Sequence, residues 1–126
     1  MSLKPEYPAL DDTPRSHLPF SPAVKVGQLV FVSGQASVDA TGKIVPDTFE
    51  GEMRRSIENM RAVLKAAGCD LQHVVQTRNY LADPDDNAEY NRIYREYFHD
   101  PKPARTTIAN CLKGLRYEIE CIAVAP

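Results

Sequence analysis

The sequence predicts an α+β domain in which two helices pack on one face of a single β-sheet. Two observations fix the helices. Met53, Ile57, Met60, Leu64 and Ala67 recur at spacings of four, three, four and three, and Tyr90, Ile93, Tyr94, Tyr97 and Phe98 follow the same rule. A third supplies the sheet: short runs rich in β-branched residues lie before, between and after these stripes. The resulting order is strand, strand, helix, strand, helix, strand, strand. A chain of 126 residues accommodates one such domain and not two.

Composition narrows the function classes. With 43% hydrophobic and 25% charged residues the chain reads as a globular protein, and its net charge of −2 offers no electrostatic footprint for nucleic acid or an anionic membrane. The longest apolar run, Leu29 to Val32, is too short to span a bilayer. Charge and proline stand at the N-terminus where a signal peptide needs an apolar segment, so a cytoplasmic protein is expected. Cys69, Cys111 and Cys121 are odd in number and lack CxxC spacing, which leaves each as a small buried residue. His17, His73 and His99 form no ligand-spaced pair, so no metal site is expected.

Taken in order, residues 1–16 carry Pro5, Pro8, Pro14, Asp11 and Asp12 without a hydrophobic period, and a flexible tail is expected there, leaving 17–126 as the domain. His17 to Pro22 is an irregular extended stretch pinned by Phe20, which lines a cleft or caps the core. Ala23–Val26 is a strand, Gly27-Gln28 a tight turn and Leu29–Ser33 a second strand. That second run is apolar at every position, the pattern of a strand buried on both faces. Gly34 closes it, either as a bulge or strand end or as a point where backbone meets a ligand or another chain closely.

Asp39, Thr41-Gly42 and Pro46 make 36–49 a loop before the first helix of about 17 residues, and Gly68 stands where a C-terminal cap belongs. Arg54, Arg55, Glu58, Arg61 and Lys65 form its solvated face. Val74–Leu81 is a strand, and Asp83 to Asn87 breaks it and starts the second helix, whose aromatic stripe is core. Pro101 and Pro103 impose an extended approach to the strand Arg105-Thr106-Thr107-Ile108. In the last strand Glu118 and Glu120 leave from one face, and Tyr117, Ile119, Cys121 and Ala123 from the other. If these two strands are close, a guanidinium stands beside carboxylates, either as a site for a small carboxylate-bearing molecule or as an ordinary surface ion pair. One helical layer leaves the opposite sheet face open, so a homo-oligomer meeting at its sheets is expected, whether dimer or trimer.

Three stretches together resemble the Rid family, also called the YjgF family, of imine and enamine deaminases. They are Gly27-Gln28-Leu29-Val30-Phe31-Val32-Ser33-Gly34-Gln35, the helix carrying Asn91, Tyr94, Tyr97 and Phe98, and Pro103-Ala104-Arg105 followed by Glu118-Ile119-Glu120. The similarity runs from about Pro19 to Val124. It implies a chorismate-mutase-like mixed sheet assembled as a homotrimer with clefts between subunits. It also implies hydrolysis of reactive 2-imino acids to 2-oxo acids and ammonia, with no cofactor. By this resemblance Arg105 anchors the substrate carboxylate and Glu118 positions water. Gly34 supplies a close backbone contact, and Ser33, Phe20, Asn91 and Thr107 complete the substrate-binding set.

The chain departs from the family at Phe20, where many members carry tyrosine, and at Thr107, where the best-studied branch has cysteine. Its segment between Arg105 and Glu118 is also shorter. Two rival readings use the same residues: a non-catalytic module that binds small 2-oxo or other carboxylic acids, and an endoribonuclease or translation inhibitor. The second lacks a basic stripe, interleaved exposed aromatics and a histidine pair.

Overall fold

A computed structural model of the chain describes residues 3–8 and 18–126. Strands β1 (Ala23–Val26) and β2 (Leu29–Ala36) precede helix α1 (Phe49–Ala66). Strand β3 (Val74–Leu81), helix α2 (Asn87–Tyr97), and strands β4 (Ala104–Ala109) and β5 (Tyr117–Val124) follow. This is the expected order of elements. Among the described residues the strands form one sheet in the order β1-β2-β5-β3-β4. All neighbours are antiparallel except β3 and β4, which are parallel because α2 carries the chain back over the sheet between them.

The local causes are visible in the sequence. Gly27, at φ +61°, turns β1 into β2 in two residues, with Val26 facing Leu29 across the hairpin. Thr48 caps α1 by accepting the Gly51 amide at 3.1 Å, and Gly68 ends the helix region at φ +81°. Its stripe Met53, Ile57, Met60 and Leu64 is fully buried, as are Tyr90 and Ile93 of α2. Both pack on the sheet face formed by Val30, Val32, Tyr117, Ile119, Cys121 and Ala123.

Among the described residues no helix covers the opposite face. Val30 and Val32 are buried, but Leu29 and Phe31 are 44% and 42% exposed, beside exposed Val124 of β5. The unbroken apolar run of β2 therefore does not mean burial on both faces within one chain; helices cover one side only. Cys69 and Cys121 are buried as expected, whereas Cys111 is half-buried and donates weakly to the Ile108 and Leu81 carbonyls at 3.6 Å.

The expected flexible tail, residues 1–16, falls largely outside the described residues. Of its described part, Glu6 exchanges two backbone hydrogen bonds of 2.8 Å with Lys25. Among the described residues no helix is long and apolar enough to cross a membrane, and no three His, Cys, Asp or Glu side chains converge as a metal-binding group.

Candidate active site

The sheet order separates the two ends of the site. β3 lies between β4 and β5, so Arg105 and Glu118 are not neighbours. They also leave opposite faces. Arg105 is in register with Thr77 and Cys121, both buried on the helical side, whereas Glu118 is in register with Tyr80 on the open side. The simple juxtaposition of guanidinium and carboxylate expected from the sequence is therefore absent within one chain. The sequence shows all three strands but not that β3 runs between the other two.

Arg105 lies on the exposed edge strand, yet its head group is held. Nη1 donates to Asn91 Oδ1 at 2.8 Å, and the guanidinium carbon lies 4.8 Å and 4.9 Å from the ring centroids of Tyr90 and Tyr94. Asn91 reaches it because α2 runs along the sheet edge beside β4. Thr107, two residues along the same strand face, shares a 2.7 Å hydrogen bond with the Tyr90 hydroxyl. Arg105, Asn91 and Thr107 are thus linked in one cluster through Tyr90. They sit beside a cavity of about 250 Å³ lined by Asn91, Tyr94, Arg95, Lys102, Pro103 and Arg105.

The two tyrosines carry a role that the stripe alone does not disclose. Tyr94 shares a 2.7 Å hydrogen bond with Thr77, Asn79 donates to Thr77 at 3.1 Å, and Tyr117 donates to Asn79 at 2.5 Å. Thr77 and Asn79 are completely buried polar residues of β3. This chain satisfies every hydroxyl that the platform brings into the core and fixes both rings beneath the arginine. Burial pushes the Tyr90 hydroxyl up to about 12, and raises Tyr94 as well, so both rings stay neutral under the cation. The available signal was tyrosine where phenylalanine would suffice, opposite threonine and asparagine at inward positions of β3.

The second cluster gathers around β5. Glu118 is half-buried, and burial, with the nearby charge of Glu120, raises its pKa above the ordinary carboxylate value. Its side chain runs across Gly34: a Cβ at residue 34 would collide with Oε1 and lie 3.1 Å from Cδ. Gly34 also falls in an irregularity of the β2–β5 register, between Val32 and Gln35. The register irregularity fits the bulge reading of this glycine, and the group that approaches its backbone closely is the Glu118 side chain of the same chain. Ser33 anchors the preceding segment, its amide donating to Pro22 O at 2.9 Å and its hydroxyl to Ser21 O at 2.6 Å. Phe20, 49% exposed, projects from that anchored segment.

Neighbouring Glu120 accepts from the Tyr80 hydroxyl at 2.5 Å and lies 4.0 Å from Arg78. The described histidines do not join either cluster: His73 Nδ1 accepts the Asp70 amide at 2.8 Å, and His99 is exposed.

Comparison with known proteins gives a consistent answer. Residues 11–125 match the family model described as Endoribonuclease L-PSP. The protein mmf2, mitochondrial, of Schizosaccharomyces pombe is 46% identical over 110 residues, covering 83% of this chain and 86% of that one. The 2-iminobutanoate/2-iminopropanoate deaminase of Mus musculus is 41% identical over 109 residues, covering 84% and 81%. The crystal structure of RidA from the Antarctic bacterium Psychrobacter sp. PAMC 21119 superposes with a TM-score of 0.87 at 32% identity, covering 94% of this chain and 98% of that one. The fold, the order of the matched segments and these relatives agree, and the chain belongs to the Rid (YjgF) family, the family of the Endoribonuclease L-PSP model.

Proposed function

We propose that this protein hydrolyses reactive 2-imino acids, and their enamine tautomers, to 2-oxo acids and ammonia in a cleft between subunits of a homotrimer. The observation that carries the reading is the split site. Arg105, Asn91 and Thr107 occupy the helical side of one sheet edge, and Glu118, Gly34 and Ser33 belong to the other side. A neighbouring copy that covers the open face would bring its arginine cluster to the first copy's carboxylate. Exposed Leu29, Phe31 and Val124 supply the apolar surface for that contact.

The chemistry suits these groups. An imine carbon is already electrophilic, so orientation and proton transfer matter more than a strong nucleophile. Arg105 grips the substrate carboxylate through a planar fork that lysine cannot reproduce. Water adds to the C=N carbon to give a carbinolamine, the C–N bond breaks, the C=O bond forms, and nitrogen leaves as ammonia. Glu118 orients that water, takes its proton and returns one to the departing nitrogen. A carboxyl raised by burial is suited to such a relay. Thr107 and the backbone near Gly34 and Ser33 confine the remainder of the substrate, with Phe20 at the rim.

The test couples the purified protein to a dehydratase or an amino-acid oxidase and follows imine disappearance. Arg105→Ala should lower kcat/KM on the order of 100-fold or more, the equivalent of about 3 kcal/mol for a lost charge-assisted carboxylate contact. Identical traces for wild type and variant across several imino acids would overturn the assignment. Saturable stabilisation by 2-oxo acids without turnover would instead favour a binding module.

A further inference from the structure

The cavity beside Arg105 has an unusual charge balance. Its lining contains three cationic side chains, Arg95, Lys102 and Arg105, and no carboxylate. Elsewhere the pattern is different: Arg54, Arg55, Arg61, Arg78, Arg92 and Arg116 each have a carboxylate within 4.0 Å. Arg95 and Arg105 have none among the described residues. Among the described residues Lys102 has only Asp100, at 2.6 Å, whose side chain is 88% exposed and lies outside the lining. Such a surface pair is weak and readily exchanged for a ligand anion.

Position reinforces charge. Arg95 stands one helical turn beyond Asn91, on the same face of α2, and Asn91 is the residue that holds the Arg105 guanidinium. Lys102 lies three residues before Arg105, across the same cavity wall as Pro103. Like charges gathered on one concave surface repel, and the arrangement is relieved when anions enter. One anionic group satisfies Arg105; the remaining pair calls for a second.

We infer that Arg95 and Lys102 form a second carboxylate-recognition point in the Arg105 cleft, selecting 2-imino acids with a side-chain carboxylate over those with an alkyl side chain. This inference rests on the deaminase reading for its reaction but not for its binding geometry. Arg105 takes the carboxylate next to the imine carbon, and Arg95 with Lys102 takes the distal one. The two anchors hold the molecule at both ends with the imine carbon between them.

The experiment compares kcat/KM for 2-iminosuccinate, generated in situ from aspartate by a flavin oxidase, with that for 2-iminobutanoate, generated from threonine by a dehydratase. Wild type, the Arg95→Gln/Lys102→Gln variant and the Arg95→Lys/Lys102→Arg variant are measured, each also melted with 2-oxoglutarate or 2-oxobutanoate. The dicarboxylate preference should fall about tenfold in the neutral variant, a factor of a few for each exposed ion pair. It should persist in the charge-conserving variant.

A wild-type ratio that does not respond to neutralisation, with imine hydrolysis intact and abolished by Arg105→Ala, would overturn the second anchor and leave the deaminase reading standing. Absence of imine hydrolysis, with preferential stabilisation by 2-oxoglutarate that disappears in the neutral variant, would sustain the second anchor and defeat the deaminase reading.

Discussion

Replacing Gly34 with alanine separates backbone strain from side-chain collision, because the φ of Gly34 is not in the left-handed region and alanine can adopt its backbone. The added methyl meets the Glu118 carboxyl, whose Cδ must retreat from 3.1 Å to an ordinary contact distance of about 3.5 Å or more, with Oε1 moving further. The obstacle is a rotatable side chain, so the fold should absorb it at about 1 kcal/mol, the cost of an off-rotamer torsion. Catalysis should suffer far more. A reacting group displaced by roughly 1 Å loses on the order of 100-fold in rate. Imine-hydrolysis kinetics together with thermal melts give the two readings, and Glu118→Ala in the Gly34→Ala background should recover the stability but not the rate. Wild-type kcat/KM in Gly34→Ala, with melting lowered as described, would refute the claim that the position of this carboxyl governs turnover.

Glu118→Gln should lower turnover while raising the melting temperature at neutral pH. The folded protein holds this proton more tightly than the unfolded chain does. Stability therefore falls as pH rises from the unfolded value near 4.5 through the raised folded value, and the gain from glutamine should vanish below that window. A melting gain independent of pH would contradict this. Glu52, 2% exposed, accepts the Arg116 amide at 2.9 Å and the Asp47 amide at 3.3 Å. Glu52→Gln turns one acceptor toward the wrong partner and should cost about 2 kcal/mol, a fall of roughly 8 °C; an unchanged melt would refute it. Phe31→Asp, on the open sheet face, should convert the proposed homotrimer to single chains in sedimentation velocity and abolish imine hydrolysis in parallel. Wild-type sedimentation would exclude that face as the interface.

The helices were legible because each buries one stripe, and periodicity records burial directly. Met53 through Leu64, and Tyr90 through Phe98, needed no tertiary information. The hairpin at Gly27 was legible for the same local reason. The path of the sheet was not: nothing in β4 or β5 states that β3 runs between them, which separates Arg105 from Glu118, or that the register places the two on opposite faces. The apolar run of β2 suggests a strand buried on both faces, yet Leu29 and Phe31 are exposed, because apolar residues in a single sequence do not say whether their cover lies within the chain. Arg105, Asn91 and Thr107 were found through the resemblance, and the geometry brings those three together. Tyr90 and Tyr94 were missed as supports because a ring at a buried helical position has an adequate explanation in packing alone. Their hydroxyls, and Thr77 and Asn79 facing them, held the additional information.

The rings and the asparagine amide that hold Arg105 have a thermodynamic consequence for whatever anion binds there. A free arginine side chain carries roughly 2 kcal/mol of rotamer entropy, which a ligand must ordinarily overcome to immobilise it. Here Asn91, Tyr90 and Tyr94 remove much of that freedom during folding, so an arriving carboxylate meets a fork already aimed. Even a small molecule, with few atoms from which to draw affinity, can then be captured by a single ion pair.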